Sequence, residues 1–340
     1  MTELKVGLLG AGGIAQAYVK VFDRVEGARI AAVADVRSRA AHALAEQVRG
    51  IAYPSHRALL EESDVDAVLV CTPPSTHPEI VLAAIARGKH VLCEKPLAID
   101  ATNARAMVAA AEEAGVVFTM AAKFRFVDDV IRARQIVGSG ILGELIILEN
   151  VFASRVDMAR RWNADPAVAG GGVIIDNGTH SVDIVRYFLG PISEVMAVEA
   201  KRVQQLAVED TASLTLRTPE GIVGTVDLSW SLDKANDTYL TLYGSQGTIT
   251  IGWGGARYRQ ASSPEWVEFG AGYDKMACMG ANVENFCAAI RGEETLAVTA
   301  EDAIASVAVI EAAYASLGRS DWIAVRDLGR GESAAGEQVA

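Results

Sequence analysis

Lys95 stands where a short apolar run stops, because the stretch Val91 to Cys93 is followed by Glu94, Lys95 and Pro96. Such a run is typical of a buried parallel strand, and proline cannot donate a hydrogen bond within a sheet. The pattern therefore predicts that Lys95 lies at the carboxyl end of a strand, where open α/β sheets bind ligands. A lysine there needs a partner or a function, although a surface pair of Glu94 and Lys95 explains this stretch equally well.

A histidine and an aspartate in the second half are spaced for joint chemistry. Asp176 and His180 are four residues apart, so on a helix they share a face, and they follow the glycine run 170–172. A histidine is the usual proton acceptor for an alcohol near neutral pH, and Asp176 would either orient it or bind substrate. A helix start with an acid in its first turn is the simpler alternative. Asp183, three residues further on, is expected to cap or pair structurally. No third metal ligand is evident, so we predict no metal site.

A glycine-rich loop near the amino terminus has the context of a dinucleotide site. It follows the apolar strand Val6 to Leu9 and opens a helix that continues through Phe22. Gly10 permits the tight turn, Gly12 lets the backbone approach a pyrophosphate, and the small Ala15 allows the helix to pack closely on the strand. Free N–H groups at the helix start then face the phosphates. The loop residues predicted to contact the cofactor are Gly10, Gly12, Gly13 and Ile14.

Asp35 ends the second predicted strand and supplies the acid that the glycine loop calls for. Its carboxylate can accept hydrogen bonds from the adenosine ribose diol and would repel a 2′-phosphate, so NAD is favoured as the cofactor. Arg37 and Arg39 lie close by and could hold such a phosphate, which leaves NADP open. Further predicted cofactor contacts are Thr72, Pro73, Pro74, His77, Glu94 and Lys95.

The order of elements predicts an α/β protein with two domains of different construction. Residues 1–122 alternate six strands with helices, which is typical of a doubly wound parallel Rossmann sheet. Residues 123–328 are mostly strands, several of them alternating, which indicates an α+β domain with a large, mostly antiparallel open sheet. Its predicted strands span 144–154, 192–203, 212–217, 223–231, 239–243 and 248–251.

Three helices are predicted in the second domain, at Ile184 to Leu189, Val283 to Ile290 and Glu301 to Leu317. The last begins with a capping-box spacing at Thr299. We expect residues 329–340, rich in Gly, Ser, Ala and Glu, to form a flexible tail.

Composition narrows the class of protein. At 340 residues the chain exceeds the usual size of a single core, and its formal net charge of −12 argues against a nucleic-acid surface. The apolar runs are too short to span a bilayer, and the amino terminus has no pattern of a signal peptide. The four cysteines are widely spaced without a C-x-x-C pair, so disulfides and zinc are not expected, and a cytoplasmic protein is predicted.

Taken together, these motifs resemble the Gfo/Idh/MocA oxidoreductases, the group of glucose–fructose oxidoreductase and inositol dehydrogenase. The resemblance spans nearly the whole chain, and its Glu-Lys-Pro strand end is highly specific. It is carried by Gly10 to Ala15, Thr72 to Pro74, Gly88 to Ala98, Gly170 to Asp183 and the late helix around 301–314.

The resemblance implies NAD(P)-dependent oxidation or reduction of a carbinol in a sugar or cyclitol. The family's strand-end lysine falls on Lys95, its aspartate on Asp176 and its histidine on His180. In the expected mechanism, His180 takes the hydroxyl proton while hydride leaves for the nicotinamide. Lys95 steadies the reacting oxygen, and Asp176 binds a hydroxyl or fixes the tautomer of His180. The resemblance also implies a homodimer or homotetramer formed through the second sheet.

Two departures from the family pattern concern the substrate. Trp162 is followed by Asn163 where the family often has Trp-Arg, and Lys123 stands ahead of Arg125 where an uncharged residue is common. Lys123, Arg125 and Trp162 are therefore candidate substrate-binding residues beside the catalytic three. Extra cations near the cleft would favour an acidic or phosphorylated sugar, and solvated loop charges are the alternative explanation.

Three other functions stay open at this point. The first is a glycosidase or lyase in which the same hydride step is transient and the cofactor is recycled. The second is a cofactor-sensing protein without catalysis, and the joint presence of Lys95, Asp176 and His180 speaks against it. The third is a structural subunit, for which the sequence gives no positive sign.

Overall fold

A computed structural model describes residues 3–319 and 321–326. The tail predicted to be flexible, 329–340, lies outside the described residues. Two sheets dominate the fold, one of six strands and one of nine.

The first sheet is parallel throughout, as predicted, and has the strand order β3-β2-β1-β4-β5-β6. The order in which strands are added reverses between β1 and β4. Doubly wound sheets bind ligands at this switch point. The central strands are buried on both faces, which explains their unbroken apolar sequences. The strands are β1 (Leu4–Leu9), β2 (Ala28–Ala34), β3 (Ile51–Tyr53), β4 (Ala67–Val70), β5 (His90–Glu94) and β6 (Phe118–Ala121).

Five helices connect these strands. They are α1 (Gly13–Phe22), α2 (Ser38–Gln47), α3 (His56–Glu62), α4 (His77–Ile85) and α5 (Ala101–Ala114). The termini follow local signals: the Asp100 side chain accepts the N–H of Asn103 at the start of α5, and Gly115 ends it in the left-handed conformation.

The second sheet has the order β14-β13-β12-β11-β7-β10-β9-β8-β15, and only β7 and β10 pair in parallel, so the mostly antiparallel prediction is confirmed. The three short strands β13, β14 and β15 were not predicted, because they lack an apolar alternation of useful length. The strands are β7 (Leu145–Ala153), β8 (Glu194–Glu199), β9 (Thr211–Arg217), β10 (Val223–Ser229), β11 (Thr238–Gly244), β12 (Gly247–Gly252), β13 (Ala256–Gln260), β14 (Val267–Glu268) and β15 (Ile323–Ala324).

The described part of the second half has five α-helices, of which two were not predicted, two are longer than the sequence indicated and one agrees with its prediction to within a residue. They are α6 (Asp128–Gly138), α7 (Pro166–Ala169), α8 (Val173–Leu189), α9 (Lys275–Arg291) and α10 (Ala300–Leu317). The prediction that one helix starts at Val283 was wrong, because Asp274 caps α9 and the helix begins eight residues earlier, at Lys275. Helix α8 likewise begins directly after the glycine run, so Asp176 and His180 both lie within it. The predicted capping box at Thr299 is present.

Helix α9 returns to the first domain. Its apolar side chains share a buried cluster with Val6, Leu8 and Tyr18 of the Rossmann half, and these are Met279, Val283, Phe286 and Cys287. The domain boundary at residue 122 therefore stays a prediction, because α9 comes after it in the sequence and packs into the core of the Rossmann half. No helix in the described ranges has the length and apolarity that crossing a membrane requires.

Candidate active site

Lys95 and Asp176 meet where the two halves of the molecule face each other. Lys95 follows the last residue of β5, and Asp176 lies in the first turn of α8. Lys95 Nζ donates to the carboxylate of Asp176 at 2.5 Å and to its backbone carbonyl at 2.9 Å. The lysine side chain is 15% exposed and the aspartate side chain 25%, so the pair is accessible without being on an open surface. Asp176 thus holds the lysine, an arrangement that the sequence did not indicate.

His180 lies one helical turn beyond Asp176, with its ring against the edge of the Phe124 ring at 5.1 Å between centroids. Burial lowers the pKa of His180 well below its ordinary value, and the nearby cations Lys95, Lys123 and Lys275 lower it further. The imidazole is therefore neutral at neutral pH and can accept a proton. No described residue forms a hydrogen bond with it, so its nitrogens are available to a ligand.

A remote carboxylate fixes the start of α8. Glu209 accepts the N–H groups of Gly172 and Ile174, both at 3.0 Å, and the hydroxyl of Tyr314 donates to the same oxygen at 2.8 Å. Glycine is required here, because a Cβ on Gly172 would stand 2.1 Å from the Glu209 carbonyl, and one on Gly171 would stand 1.9 Å from the Tyr314 hydroxyl. The glycine run thus lets two distant elements fix the orientation of the helix that carries Asp176 and His180.

Arg125 does not face the substrate region. Its guanidinium donates to both oxygens of Asp183 at 3.0 Å and to Asp302 at 2.7 Å, and its side chain is only 5% exposed. A buried guanidinium needs such partners, and they leave it no role toward a ligand. The structure therefore contradicts the expectation that Arg125 binds substrate, and Asp183 has the structural pairing that was expected of it.

The glycine loop borders a cavity of about 590 Å³ along the carboxyl edge of the first sheet. Gly10 has φ +97°, and a Cβ there would meet the Cys71 carbonyl at 2.8 Å. Among the described atoms, nothing lies within 4 Å of where Gly12 and Gly13 would carry a Cβ, so their backbone is open to a phosphate. The cavity lining also includes Asp35, Arg37, Thr72, Pro73 and Trp162. These features fit a dinucleotide.

Asp35 lies at this edge and is held in place by hydrogen bonds. Its carboxylate accepts the N–H of Ala11 at 2.7 Å and of Arg37 at 2.8 Å, and the Arg37 side chain pairs with it at 3.1 Å. Burial alone would raise the pKa of Asp35, but the hydrogen bonds from Arg37 and Ala11 lower it overall. Because Arg37 is paired with Asp35, its charge is not free for a 2′-phosphate.

Several predicted cofactor contacts lie elsewhere. His77 is fully buried, with one ring nitrogen 3.0 Å from the Pro96 carbonyl and the other 2.8 Å from the Thr72 carbonyl, so it joins two loops and does not line the cavity. Pro74 is buried at the start of a short 3₁₀ turn, and Ile14 packs against the buried cluster that contains Val6 and Leu8. Glu94 accepts from the Tyr18 hydroxyl at 2.8 Å, beneath the strand end, and burial raises its pKa.

Trp162 and Lys123, both predicted to bind substrate, lie in different surroundings. Trp162, expected at the substrate, lines the cofactor cavity and is 45% exposed. Lys123 lies near His180, with its Nζ 5.4 Å from the centre of the Phe124 ring. Aromatic side chains surround it, with their rings packed against one another, and the sequence did not indicate this cluster because its members come from distant segments. These are Phe124, Phe152, Tyr239, Trp253 and Tyr273.

Comparison with known proteins identifies both halves. Residues 4–122 match the family model described as oxidoreductase family, NAD-binding Rossmann fold. Residues 130–250 match the model of the GFO/IDH/MocA C-terminal domain.

Relatives match over most of their length. The chain is 30% identical to the rhizopine catabolism protein MocA of Rhizobium meliloti, covering 94% of this chain and 96% of that protein. It is 28% identical to myo-inositol 2-dehydrogenase of Thermotoga maritima, covering 72% and 74%. A levoglucosan dehydrogenase structure in complex with NADH and levoglucosan superposes with a TM-score of 0.90 over 96% of this chain and all of that one, at 21% identity. That last similarity concerns the fold.

The two models describe the two domains of one family, and together they match most of the chain. The chain belongs to the Gfo/Idh/MocA oxidoreductase family and has its NAD-binding Rossmann domain.

Proposed function

We propose that this protein is an NAD-dependent dehydrogenase that oxidises or forms a secondary carbinol in a sugar, cyclitol or sugar derivative. The observation that carries the proposal is the contact of Lys95 with Asp176, one helical turn from a neutral His180, at the end of a strand beside the dinucleotide cavity. The names of relatives such as myo-inositol 2-dehydrogenase support the substrate class.

Each of the three side chains has a role that its surroundings favour. Bound nicotinamide supplies the hydride acceptor when the alcohol is oxidised. His180, neutral and without a bonded partner among the described residues, accepts the hydroxyl proton. Lys95 keeps a proton free for the substrate oxygen and stabilises the negative charge that grows there. Asp176 fixes the position of Lys95, and its second carboxylate oxygen is free for a neighbouring hydroxyl.

The preference for NAD over NADP belongs to the same proposal. Asp35 would place its carboxylate against a 2′-phosphate, and the one basic side chain that contacts it, Arg37, is already neutralised by the pair. We therefore expect NAD to support turnover much better than NADP.

A substrate screen tests the proposed function. Purified protein is mixed with NAD and a panel of sugars, cyclitols and sugar acids, and the formation of NADH is followed by absorbance, with NADP in parallel. Net reduction of NAD by at least one member of the panel is the expected result. Cleavage of a glycoside without net NADH would instead identify the transient-oxidation reaction, and no reaction at all would contradict the proposal.

We also propose a homo-oligomer formed through the open face of the second sheet. The neighbouring side chains Ile147 and Tyr243 on β7 and β11 share this face with Val198 on β8, and all three are exposed. An exposed apolar sheet face is typical of an association surface. Light scattering should give the mass of a dimer or tetramer, and Ile147→Glu with Tyr243→Glu should reduce it to that of a monomer. A monomeric wild-type protein would contradict this.

A cytoplasmic location is proposed from the thiols. Cys71, Cys93, Cys278 and Cys287 are all buried and unpaired with one another, which suits a reducing compartment. Cell fractionation with an antibody to the native protein should find it with cytoplasmic markers, and recovery outside the cytoplasm would contradict the proposal.

A further inference from the structure

Lys123 is a largely buried cation on the substrate side of the site. It starts the 3₁₀ turn Lys123–Phe126, and its Nζ lies 5.4 Å from the ring centre of Phe124 and 5.9 Å from that of Tyr273. The two rings stack on each other, and the Phe124 ring also contacts His180. Lys123 forms no hydrogen bond and no salt bridge with any residue that the structure describes, in contrast to Lys95.

A second unpaired lysine stands next to it. Lys275 follows Tyr273 by two residues, begins α9 and is exposed, and this end of α9 packs against the turn that carries Lys123. Within the described ranges, it too has no carboxylate within salt-bridge distance. Lys123 thus lies over the ring of Tyr273, and the charge of Lys275 is near enough to act on Lys123.

Nearby carboxylates offset these two charges only in part, because Glu94 attracts Lys123 without forming a salt bridge with it. Asp176 is engaged by Lys95, and Glu94 by the hydroxyl of Tyr18 and the backbone of Lys95. Burial lowers the pKa of Lys123 to about 8, and Lys95 and Lys275 contribute to the shift. A buried cation without a partner is unfavourable, so the site gains stability when a ligand brings a negative charge to it.

We infer that the substrate is a sugar acid whose carboxylate binds to Lys123 and Lys275, while its reacting hydroxyl lies at Lys95 and His180. The inference rests on the proposed function and narrows its substrate class. The aromatic rings beside the lysines provide a flat apolar wall for the carbon skeleton.

A carboxylate fits this place better than a phosphate. The amino terminus of α9 has few free donors, because the Asp274 side chain already accepts the N–H groups of Met276 and Ala277. A phosphate dianion prefers several donors at a helix start or a planar arginine fork, and the arginine of this turn, Arg125, is bound to Asp183 and Asp302.

Matched pairs of compounds test the inference on the NADH-loaded protein. Titration calorimetry compares D-gluconate with D-glucitol, D-glucuronate with D-glucose, and D-galacturonate with D-galactose, with D-glucose 6-phosphate as the phosphate arm. We expect the acid to bind about 10- to 100-fold more tightly than its neutral partner in at least one pair. Near pH 8, binding of the acid should also be accompanied by uptake of roughly half a proton, because Lys123 becomes fully charged in the complex. Titrations in buffers of different ionisation enthalpy measure this uptake.

Two variants assign the effect to the lysine. Lys123→Met should reduce the ratio of acid to neutral affinity by about tenfold or more and abolish the proton uptake. Lys20→Met removes an equal charge from the exposed end of α1 and should alter neither quantity. Circular dichroism confirms that both variants are folded.

The outcomes separate this inference from the proposed function. Equal or weaker binding of the acid in every pair would overturn the inference, and so would tighter binding of the sugar phosphate than of any acid. If neutral sugars still reduce NAD in that case, the proposed function stands alone. Unaltered acid preference in Lys123→Met would overturn the inference as well, and no binding of any acid together with no NADH formation would contradict both.

Discussion

The cofactor edge and the substrate pocket of this protein balance their charges in different ways. At the cofactor edge, Asp35 is paired with Arg37, and the phosphates are met by uncharged backbone of the glycine loop. In the substrate pocket, only Lys95 has an acid, and Lys123 and Lys275 remain unpaired among the described residues. The cofactor edge, whose charges are already paired, selects its ligand by shape and hydrogen bonds. The substrate pocket has unpaired positive charges, so an anionic ligand is needed to balance them.

Replacing Lys95 should have the largest effect, because it acts where the reaction takes place. We expect Lys95→Ala to lower kcat by about 10³-fold or more while the Kd for NADH, measured by fluorescence, changes little. Lys20→Ala serves as the matched control on a helix of the same domain. Turnover near the wild-type rate in Lys95→Ala would remove this lysine from the chemistry.

Replacing Arg125 tests whether this buried cation has a structural role or binds substrate. Arg125→Met leaves Asp183 without its ion-pair partner and Asp302 with only the longer contact to Arg186, so urea unfolding should show a loss of about 3–5 kcal/mol. Adding Asp183→Leu removes the stranded charge and should recover part of that loss. A stable Arg125→Met protein with a selectively raised KM would instead show that Arg125 contacts substrate.

Asp35 tests the cofactor edge on its own. Asp35→Ala removes the carboxylate that favours a ribose diol, so the ratio of kcat/KM for NAD over NADP should fall by about 10- to 100-fold. Steady-state rates with both cofactors measure it. An unchanged ratio would mean that discrimination lies elsewhere in the cavity.

The pH profile measures the charge imbalance of the substrate pocket. The cations around His180 are Lys95, Lys123 and Lys275, and Asp176 on its own helix is already paired with Lys95. Since the pKa of His180 is lowered, kcat/KM should be retained below pH 6.5 and lost only as the pH falls through the lowered value. In Lys123→Met one repelling charge is gone, so this acid limb should move to higher pH. A wild-type limb at or above 6.5 would contradict the described electrostatics.

The fold could be predicted from the sequence where local signals agree. The parallel sheet follows from short apolar strands alternating with helices, and α5 has a local signal at each end, Asp100 and Gly115. Helix α9 was predicted too short, although Asp274 was visible in the sequence as a possible cap. With that signal, Lys275 could have been placed at a helix start.

The site could be predicted in its members but not in its contacts. Lys95 was identified from its place at a strand end, and Asp176 and His180 from their spacing. The bond between Lys95 and Asp176, however, joins residues 81 positions apart. The same reason hid Glu209 and Tyr314, which hold the catalytic helix from two other elements. His77 and Arg125 were assigned to ligands because a polar residue beside a cleft looks alike in sequence whether it turns inward or outward.

A crystal structure of the protein with NADH and a bound sugar acid tests the central claim most directly. The account predicts that one carbinol oxygen lies about 3 Å from both Lys95 Nζ and an imidazole nitrogen of His180, with its carbon facing the nicotinamide. A sugar bound with its hydroxyls away from these two side chains, in a complex that turns over in solution, would contradict it.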